Sequence, residues 1–197
     1  MRYLSHHDLM RFFERALRRA GLPARMSQGF NPRPRFSIAA ALGVGVAARD
    51  EILDVDFDEP IAPELVRRKL AGVMIPGIEI TSAEGSDHKL ARVVAGSYHV
   101  QLPPEVAIAP DAVAGLLSQP QLMVDRSINK KTKRIDIRPY ILDIHVLGST
   151  VTMRLAITES GAARPEEVIA ALAGTQQVDR NRLQITRTAL EVEPGQA

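Results

Sequence analysis

The chain contains no cysteine and no tryptophan among its 197 residues, and aromatic residues make up only 4%. The lack of cysteine excludes disulfides, thiolate nucleophiles, cysteine-ligated zinc and iron–sulfur clusters within this chain. A reducing, cytoplasmic setting is the expectation that follows. Because aromatic residues are scarce, the core must be built from leucine, isoleucine, valine and alanine.

Long hydrophobic runs and a charge excess are also missing. No apolar stretch approaches the roughly 18 residues of a membrane span, and the N-terminus has no signal-peptide hydrophobic region. The formal net charge is only +2. A case for nucleic-acid binding must therefore rest on where the charges lie rather than on their sum.

The order of helix and strand patterns predicts an α+β fold made of two tandem ferredoxin-like domains. In the first half, a helix over 6–20 precedes two strands, a second helix and a strand over 78–83. A short stretch before the first helix is predicted to be the end of a truncated first strand. The second half has the same order with one added strand. The predicted organisation is a domain over 1–84, a polar linker over 85–96 and a domain over 97–193.

The opening helix carries a concentration of arginine. Residues 1–35 contain eight arginines, no lysine and two acidic residues, a net charge of +6. Ser5 and Asp8 are spaced as a capping box at the start of the helix. Arginine presents a planar fork that grips phosphate oxygens in pairs, so we predict a phosphate-binding face. The alternative is a solvated helix face. The arginines on the side opposite the apolar residues are Arg11, Arg15, Arg18 and Arg19.

The segment SQGFNPRPRFS, residues 27–37, follows this helix. Gly29 permits a positive φ, and the two prolines favour an extended, preorganised backbone. Such a loop can hold Gln28, Asn31 and Arg33 at fixed angles toward a ligand. The alternative is a plain connection pinned by prolines, in which Phe30 covers the core. The glycine-containing stretch 42–51 that comes next is predicted to be a turn.

A second basic stretch covers residues 126–138, with six basic residues and one acidic residue. It is predicted to form a basic β-hairpin that meets RNA, with Arg134 and Arg138 extending the binding surface. The alternative is a charged edge strand that resists aggregation, a role that lysine serves well. A phase slip in the apolar pattern near Pro139 predicts a bend or bulge.

Histidine residues do not form a metal-binding pattern. His6 and His7 are adjacent, and neighbouring residues on a helix point about 100° apart, so we expect no metal. The sequence has no Walker lysine and no complete dinucleotide fingerprint, so we expect no cofactor. Either histidine is a candidate general base beside the loop if the protein cleaves RNA. The predicted ligand-binding residues are Asp8, Arg11, Arg15, Arg18, Arg19, Gln28, Gly29, Phe30, Asn31, Arg33, Arg134 and Arg138.

Four motifs together resemble a known family: YLSHHDLMRFFERALRRAGLP, SQGFNPRPRFSIAAALGVGV, EILDVDF and DRSINKKTKRIDIRPYI. They are similar to those of the radical-SAM-linked family, a bacterial domain of unknown function found alone or fused behind a cobalamin-binding radical SAM protein. The family usually has histidine where this chain has Arg33. The resemblance implies a radical SAM partner. Because such an enzyme needs cysteines for its cluster, this chain cannot perform that chemistry and is implied to supply recognition.

These observations predict a non-catalytic substrate-recognition protein that binds structured RNA or a nucleotide-bearing substrate for a partner enzyme. One alternative is a metal-independent RNA endonuclease that uses His6 or His7. Another is a protein-interaction module in which the segment 27–37 is the docking element.

Overall fold

A computed structural model describes residues 2–86, 92–128 and 131–193 of the chain. Lys130 and much of the predicted linker lie outside these ranges. The fold is α+β, as predicted. The helices are α1 (His6–Arg19), α2 (Pro63–Ala71), α3 (Ala112–Leu117) and α4 (Pro165–Ala173). The strands are β1 (Phe36–Ile38), β2 (Val46–Ala48), β3 (Leu53–Val55), β4 (Arg92–Gln101), β5 (Met123–Ile128), β6 (Lys131–Asp136), β7 (Ile141–Leu147), β8 (Thr150–Thr158), β9 (Gly161–Ala162) and β10 (Gln184–Glu193).

The chain divides into two compact units. The first contains residues 1–44 and 51–92, and the second contains residues 45–50 and 93–193. The short segment 45–50 thus belongs with the second unit although it interrupts the first in sequence.

In the first unit, α1 and α2 pack on a two-stranded antiparallel sheet of β1 and β3. The apolar face of α1 is anchored by Leu17, which is fully buried. The Lys69 ammonium also donates a hydrogen bond of 3.2 Å to the carbonyl of Gly21, just after α1. The buried cluster consists of Leu17, Leu22, Val66 and Leu70, with Phe36, Val55 and Phe57 among the partly buried residues against it. This packing fixes which side of α1 faces solvent.

The second unit is built on a sheet with the strand order β2-β10-β4-β8-β7, to which β9 is added beside β8. Strand β4 lies between β8 and β10, and β8 lies between β4 and β7. The strands on either side of α3 (β4 and β7) therefore alternate in one sheet with those on either side of α4 (β8 and β10). Helix α3 packs against α4 and β7, and α4 buries Val168, Ile169 and Leu172. A separate antiparallel hairpin is formed by β5 and β6.

Two local predictions are wrong. The stretch 42–51 is not only a turn, because Val46–Ala48 forms β2, parallel to β10 with Val46 opposite Ile185. The stretch 78–83 does not form a strand; Ile80 packs instead against the core of the first unit. Within the described residues, the sheet of the first unit consequently has two strands, fewer than the order of helix and strand patterns in the sequence predicts.

The predicted irregularity near Pro139 is present. Arg138–Tyr140 forms a 3-10 turn, and the pairing of β7 with β8 shifts register between Ile141 and Asp143. The fixed φ of proline suits such a turn, and the shift moves the apolar side chains from one phase to the other. Among the described residues, no helix has the length and apolar character that crossing a membrane requires.

The predicted capping box starts α1. The Ser5 hydroxyl accepts from the Asp8 amide at 3.2 Å, and the Asp8 carboxylate accepts from the Ser5 hydroxyl at 2.6 Å and from the Ser5 amide at 3.3 Å. We expect Ser5→Ala to lower the free energy of unfolding by about 1 kcal/mol, since it leaves end amides of the helix uncapped. Urea denaturation measures this, with Ser82→Ala as the control because Ser82 is exposed and lies outside any helix or strand. An equal loss in both variants would contradict the capping role.

The cap also predicts a pH dependence. The hydrogen bond from the Ser5 hydroxyl, with that from its amide, lowers the pKa of Asp8 below its ordinary value of 3.8. The ionised cap therefore stabilises the fold at pH values above 3.8, and this stabilisation is lost as the pH falls through the lowered pKa. We expect the stability difference between the native chain and Asp8→Asn to shrink on acidification below pH 3.8. A difference that stays constant would contradict this.

Candidate functional site

Four arginines of α1 form a stripe on its solvent side, hereafter the arginine stripe. At 3.6 residues per turn they span about 100° of the helix surface. All four are exposed, whereas Ala16 and Leu17 on the opposite side are buried. The stripe consists of Arg11, Arg15, Arg18 and Arg19. The amphipathic prediction for this helix is confirmed, because the apolar side is held against the core of the first unit.

The members of the stripe differ in their partners. Arg18 donates to the Glu14 carboxylate at 3.2 Å and to the backbone carbonyl of Pro32 at 3.3 Å. Arg11 lies near enough to Asp8 to lower the pKa of that carboxyl, although the Ser5 hydrogen bonds have the larger effect. Within the described residues, the side chains of Arg15 and Arg19 form no hydrogen bond or ion pair. These two cations are therefore available to an external anion.

The segment after α1 folds back on itself as a narrow hairpin. The Arg35 amide donates to the Arg25 carbonyl at 2.7 Å, and Met26 and Pro34 form an isolated antiparallel β-bridge. Residues 27–33, hereafter the tip loop, are closed by two bonds between Ser27 and Arg33. The Ser27 amide donates to the Arg33 carbonyl at 2.7 Å, and the Arg33 amide donates to the Ser27 hydroxyl at 3.0 Å. The ends of the tip loop are thus fixed to each other.

The tip loop exposes its side chains rather than packing them. Gly29 has a φ of 140°, a conformation that glycine adopts without strain. Phe30 is fully exposed, so the alternative in which it covers the core is wrong. Gln28, Asn31 and Arg33 are exposed as well. The backbone prediction for Gly29 is confirmed, and the three predicted contact residues all face solvent.

The base of the hairpin neutralises two further arginines. Arg25 pairs with Asp58 at 2.7 Å, and Arg35 pairs with Asp56 at 3.2 Å. The hydrogen bond that Arg25 donates to the Asp58 carboxylate raises the pKa of Arg25 above its ordinary value. Aspartates that alternate along the strand region after β3 therefore hold the hairpin in place. Neither Arg25 nor Arg35 is counted in the candidate site.

The residues nearest the start of α1 do not join this surface. Asp8 is engaged by the cap, and its predicted ligand-binding role gains no support from that geometry. The Nδ1 atom of His6 is buried without a partner in the described residues, and its ring meets His7 at 6.2 Å between centroids. Twelve residues of helix, about 18 Å of rise, separate His6 from Arg18, which contacts the tip loop. The structure shows no contact that places either histidine beside the loop.

Of the two predicted residues in the second unit, Arg138 has a structural role. Its guanidinium donates to the Leu117 carbonyl at 2.8 and 3.3 Å and to the Ile141 carbonyl at 3.2 Å. Those donors are therefore directed at the end of α3 and not at a ligand, and we leave Arg138 out of the candidate site. Arg134 is exposed on β6, opposite Asp125, and its role stays a prediction.

Sequence reasoning missed the ion pair between Arg126 and Glu167. Arg126 donates to both carboxylate oxygens at 2.5 and 2.6 Å and to the Ala162 carbonyl at 2.7 Å. Hydrogen bonding to Glu167 raises the pKa of Arg126. Glu167 also accepts from the Arg164 amide at 3.0 Å, which caps α4. In the sequence, Pro165 followed by two glutamates indicates the start of a helix. It does not indicate that Glu167 pairs with a residue as distant as Arg126.

Taken together, the stripe and the tip loop join exposed guanidinium groups to a preformed loop with exposed amides and one aromatic ring. Such a surface suits an anionic ligand that also offers flat or hydrogen-bonding groups. In the part of the chain that the structure describes, no cluster of histidine and acidic residues can hold a metal ion.

Comparison with curated proteins found no match. The profile of the bacterial family DUF2344, described as an uncharacterized protein conserved in bacteria, matches residues 1–165. That range includes α1, the tip loop and most of the second unit, so the chain belongs to the DUF2344 family.

Proposed function

We propose that the arginine stripe and the tip loop bind the phosphates of structured RNA or of another nucleotide-bearing substrate. In this proposal the protein recognises the substrate and performs no reaction on it. The observation that carries the proposal is the hydrogen bond from Arg18 to the Pro32 carbonyl, because it joins helix and loop into one surface. Arg15, Arg19 and Arg33 then present guanidinium groups without side-chain partners in the described residues.

The charge balance of this surface supports an anionic ligand. Arg25 and Arg35 are neutralised at the base of the hairpin and Arg18 pairs with Glu14. Arg15, Arg19 and Arg33 have no acidic partner within the described residues. An exposed guanidinium that lacks an acidic neighbour gains most from a phosphate, to which it can donate two hydrogen bonds. The tip loop loses little conformational entropy on binding because its ends are already bonded.

The proposal is tested by fluorescence anisotropy with a labelled stem–loop RNA, a mononucleotide competitor and heparin as a non-nucleotide polyanion. We expect binding that weakens steeply with salt, with a slope of about −0.7 per phosphate contacted on unpaired strands. Competition by the mononucleotide would identify a small nucleotide-bearing substrate, and competition by RNA alone would identify RNA. Absence of RNA and nucleotide binding at low salt would contradict the proposal. It would also be contradicted if heparin displaced the labelled stem–loop and neither the mononucleotide nor unlabelled RNA did. The RNA is expected to be recovered uncut in EDTA.

The partner enzyme is a separate part of the proposal. The resemblance to the radical-SAM-linked family motivates it, and the absence of cysteine is consistent with a chain that leaves the chemistry to a partner. Co-elution of the purified chain with a cobalamin-binding radical SAM protein of the same bacterium would support it. Independent elution of the two proteins, both alone and with RNA present, would contradict it.

A further inference from the structure

Phe30 is the most exposed large hydrophobic side chain that the structure describes. Burying a phenylalanine side chain is favourable relative to leaving it in water, so a fold gains nothing by presenting one. The chain is also poor in aromatic residues, with five phenylalanines and no tryptophan. A ring placed at the tip of a closed loop therefore calls for a ligand that covers it.

The surroundings of the ring indicate what that ligand is. Apart from Gly29 and Pro32, the other exposed residues of the tip loop are polar: Gln28, Asn31 and Arg33. A protein-binding hot spot would instead need a buried apolar core with several anchors around it. A single exposed ring between amide side chains and beside guanidinium groups matches a nucleobase, which offers a flat face for stacking, polar edges for hydrogen bonds and a phosphate on each side.

We infer that Phe30 is the stacking platform for an unpaired base, so that the protein binds a single-stranded or loop segment of RNA and not a continuous duplex. This inference rests on the proposed function and names the part of the RNA that is recognised. The faces of paired bases in a helix are covered by their neighbours, whereas loop bases can turn outward onto an aromatic side chain. The Arg18 contact with Pro32 keeps the platform next to the arginine stripe, where the adjoining phosphates would lie.

The absence of tryptophan makes a direct test possible, because Phe30→Trp creates a single fluorescent reporter at the tip loop. We expect the emission of this variant to be quenched by the stem–loop RNA and to be unchanged by a fully paired RNA of the same length. Leu147→Trp provides the control reporter, since Leu147 is 84% exposed at the end of β7 in the second unit. Its emission is expected to stay unchanged with both RNAs.

Affinity measurements complete the test. Phe30→Ala should weaken binding of the stem–loop by roughly fivefold or more, with the salt slope unchanged, while Phe30→Tyr keeps the affinity. Leu147→Ala is the matched control and should bind as the native chain does.

The outcomes separate the inference from the proposed function. If Phe30→Ala binds normally while removal of arginines from the stripe still weakens binding, the stacking role is wrong and the proposed function stands. If the native chain binds no RNA, both are wrong. If the emission of the Phe30→Trp variant responds only to the radical SAM protein, the loop is a protein-docking element and the inference fails.

Discussion

Replacing Arg15 and Arg19 together by glutamine should lower the affinity for unpaired RNA by about 25-fold at about 0.1 M salt. Each of these residues has an exposed guanidinium with no side-chain partner in the described residues. Their loss should therefore remove two phosphate contacts and little else. The log–log salt slope should become shallower by about 1.4, or 0.7 for each contact. As the salt falls from about 1 M to about 0.1 M, the affinity of the native chain rises by about 25-fold more than that of the variant, which is the difference in slope of about 1.4 over one decade.

The control for this experiment is Arg67→Gln with Arg68→Gln. It removes the same charge from the same unit, on α2, where Arg68 is exposed and Arg67 is half-buried. Arg67 pairs with Glu64, but an exposed ion pair of this kind contributes little to stability. We expect the α2 variant to keep the native salt slope. Equal losses in both variants would show that RNA responds to net charge alone, and would contradict a defined binding surface on α1.

The Arg126→Ala variant should lose about 3 kcal/mol or more of unfolding free energy. Arg126 and Glu167 have side chains that are only 11% and 13% exposed, and the pair is bidentate. Removing the guanidinium leaves a carboxylate in a poorly solvated position without its counter-charge, which costs more than the pair itself contributes. Urea denaturation followed by circular dichroism measures the loss.

The chain offers a closely matched control in Arg154 and Glu191. This pair has the same bidentate geometry, at 2.5 and 2.6 Å, but its side chains are 48% and 37% exposed. Arg154→Ala should cost much less than Arg126→Ala, because water solvates the remaining carboxylate. A double variant, Arg126→Met with Glu167→Leu, should recover part of the stability that Arg126→Ala loses, because it removes the uncompensated carboxylate but also the α4 cap that Glu167 provides. Similar losses in Arg126→Ala and Arg154→Ala would contradict the role of burial.

Features set by short stretches of sequence were predictable. The capping box of Ser5 and Asp8, the amphipathic course of α1 and the start of α4 at Pro165 each depend on residues a few positions apart. The conformation of Gly29 follows in the same way, because glycine permits a positive φ and the neighbouring prolines restrict the backbone locally. The exposed arginines were predictable as a stripe since helical periodicity alone places them on one side.

Features that depend on distant partners were not predictable. Strand β2 has three residues, and it exists because β10 lies beside it, far along the chain. Arg138 and Arg134 look alike in sequence, but only Arg138 meets carbonyls that the fold brings to it. The hydrogen bond from Arg18 to the Pro32 carbonyl likewise depends on a backbone carbonyl that the fold brings to the arginine. The pattern identified the helix and the loop separately, and only the fold shows that they share a surface.

The most direct measurement of the central claim is site-specific photocrosslinking to the stem–loop RNA. A photoreactive amino acid is placed, one position at a time, at Arg19 on the stripe, at Gln28 on the tip loop and at Arg68 on α2 as the control; all three are exposed. If helix and loop form one binding surface, positions 19 and 28 will both crosslink to the unpaired segment of the RNA, and position 68 will not. Crosslinking from position 68 with equal yield, or from only one of the two site positions, would contradict the account.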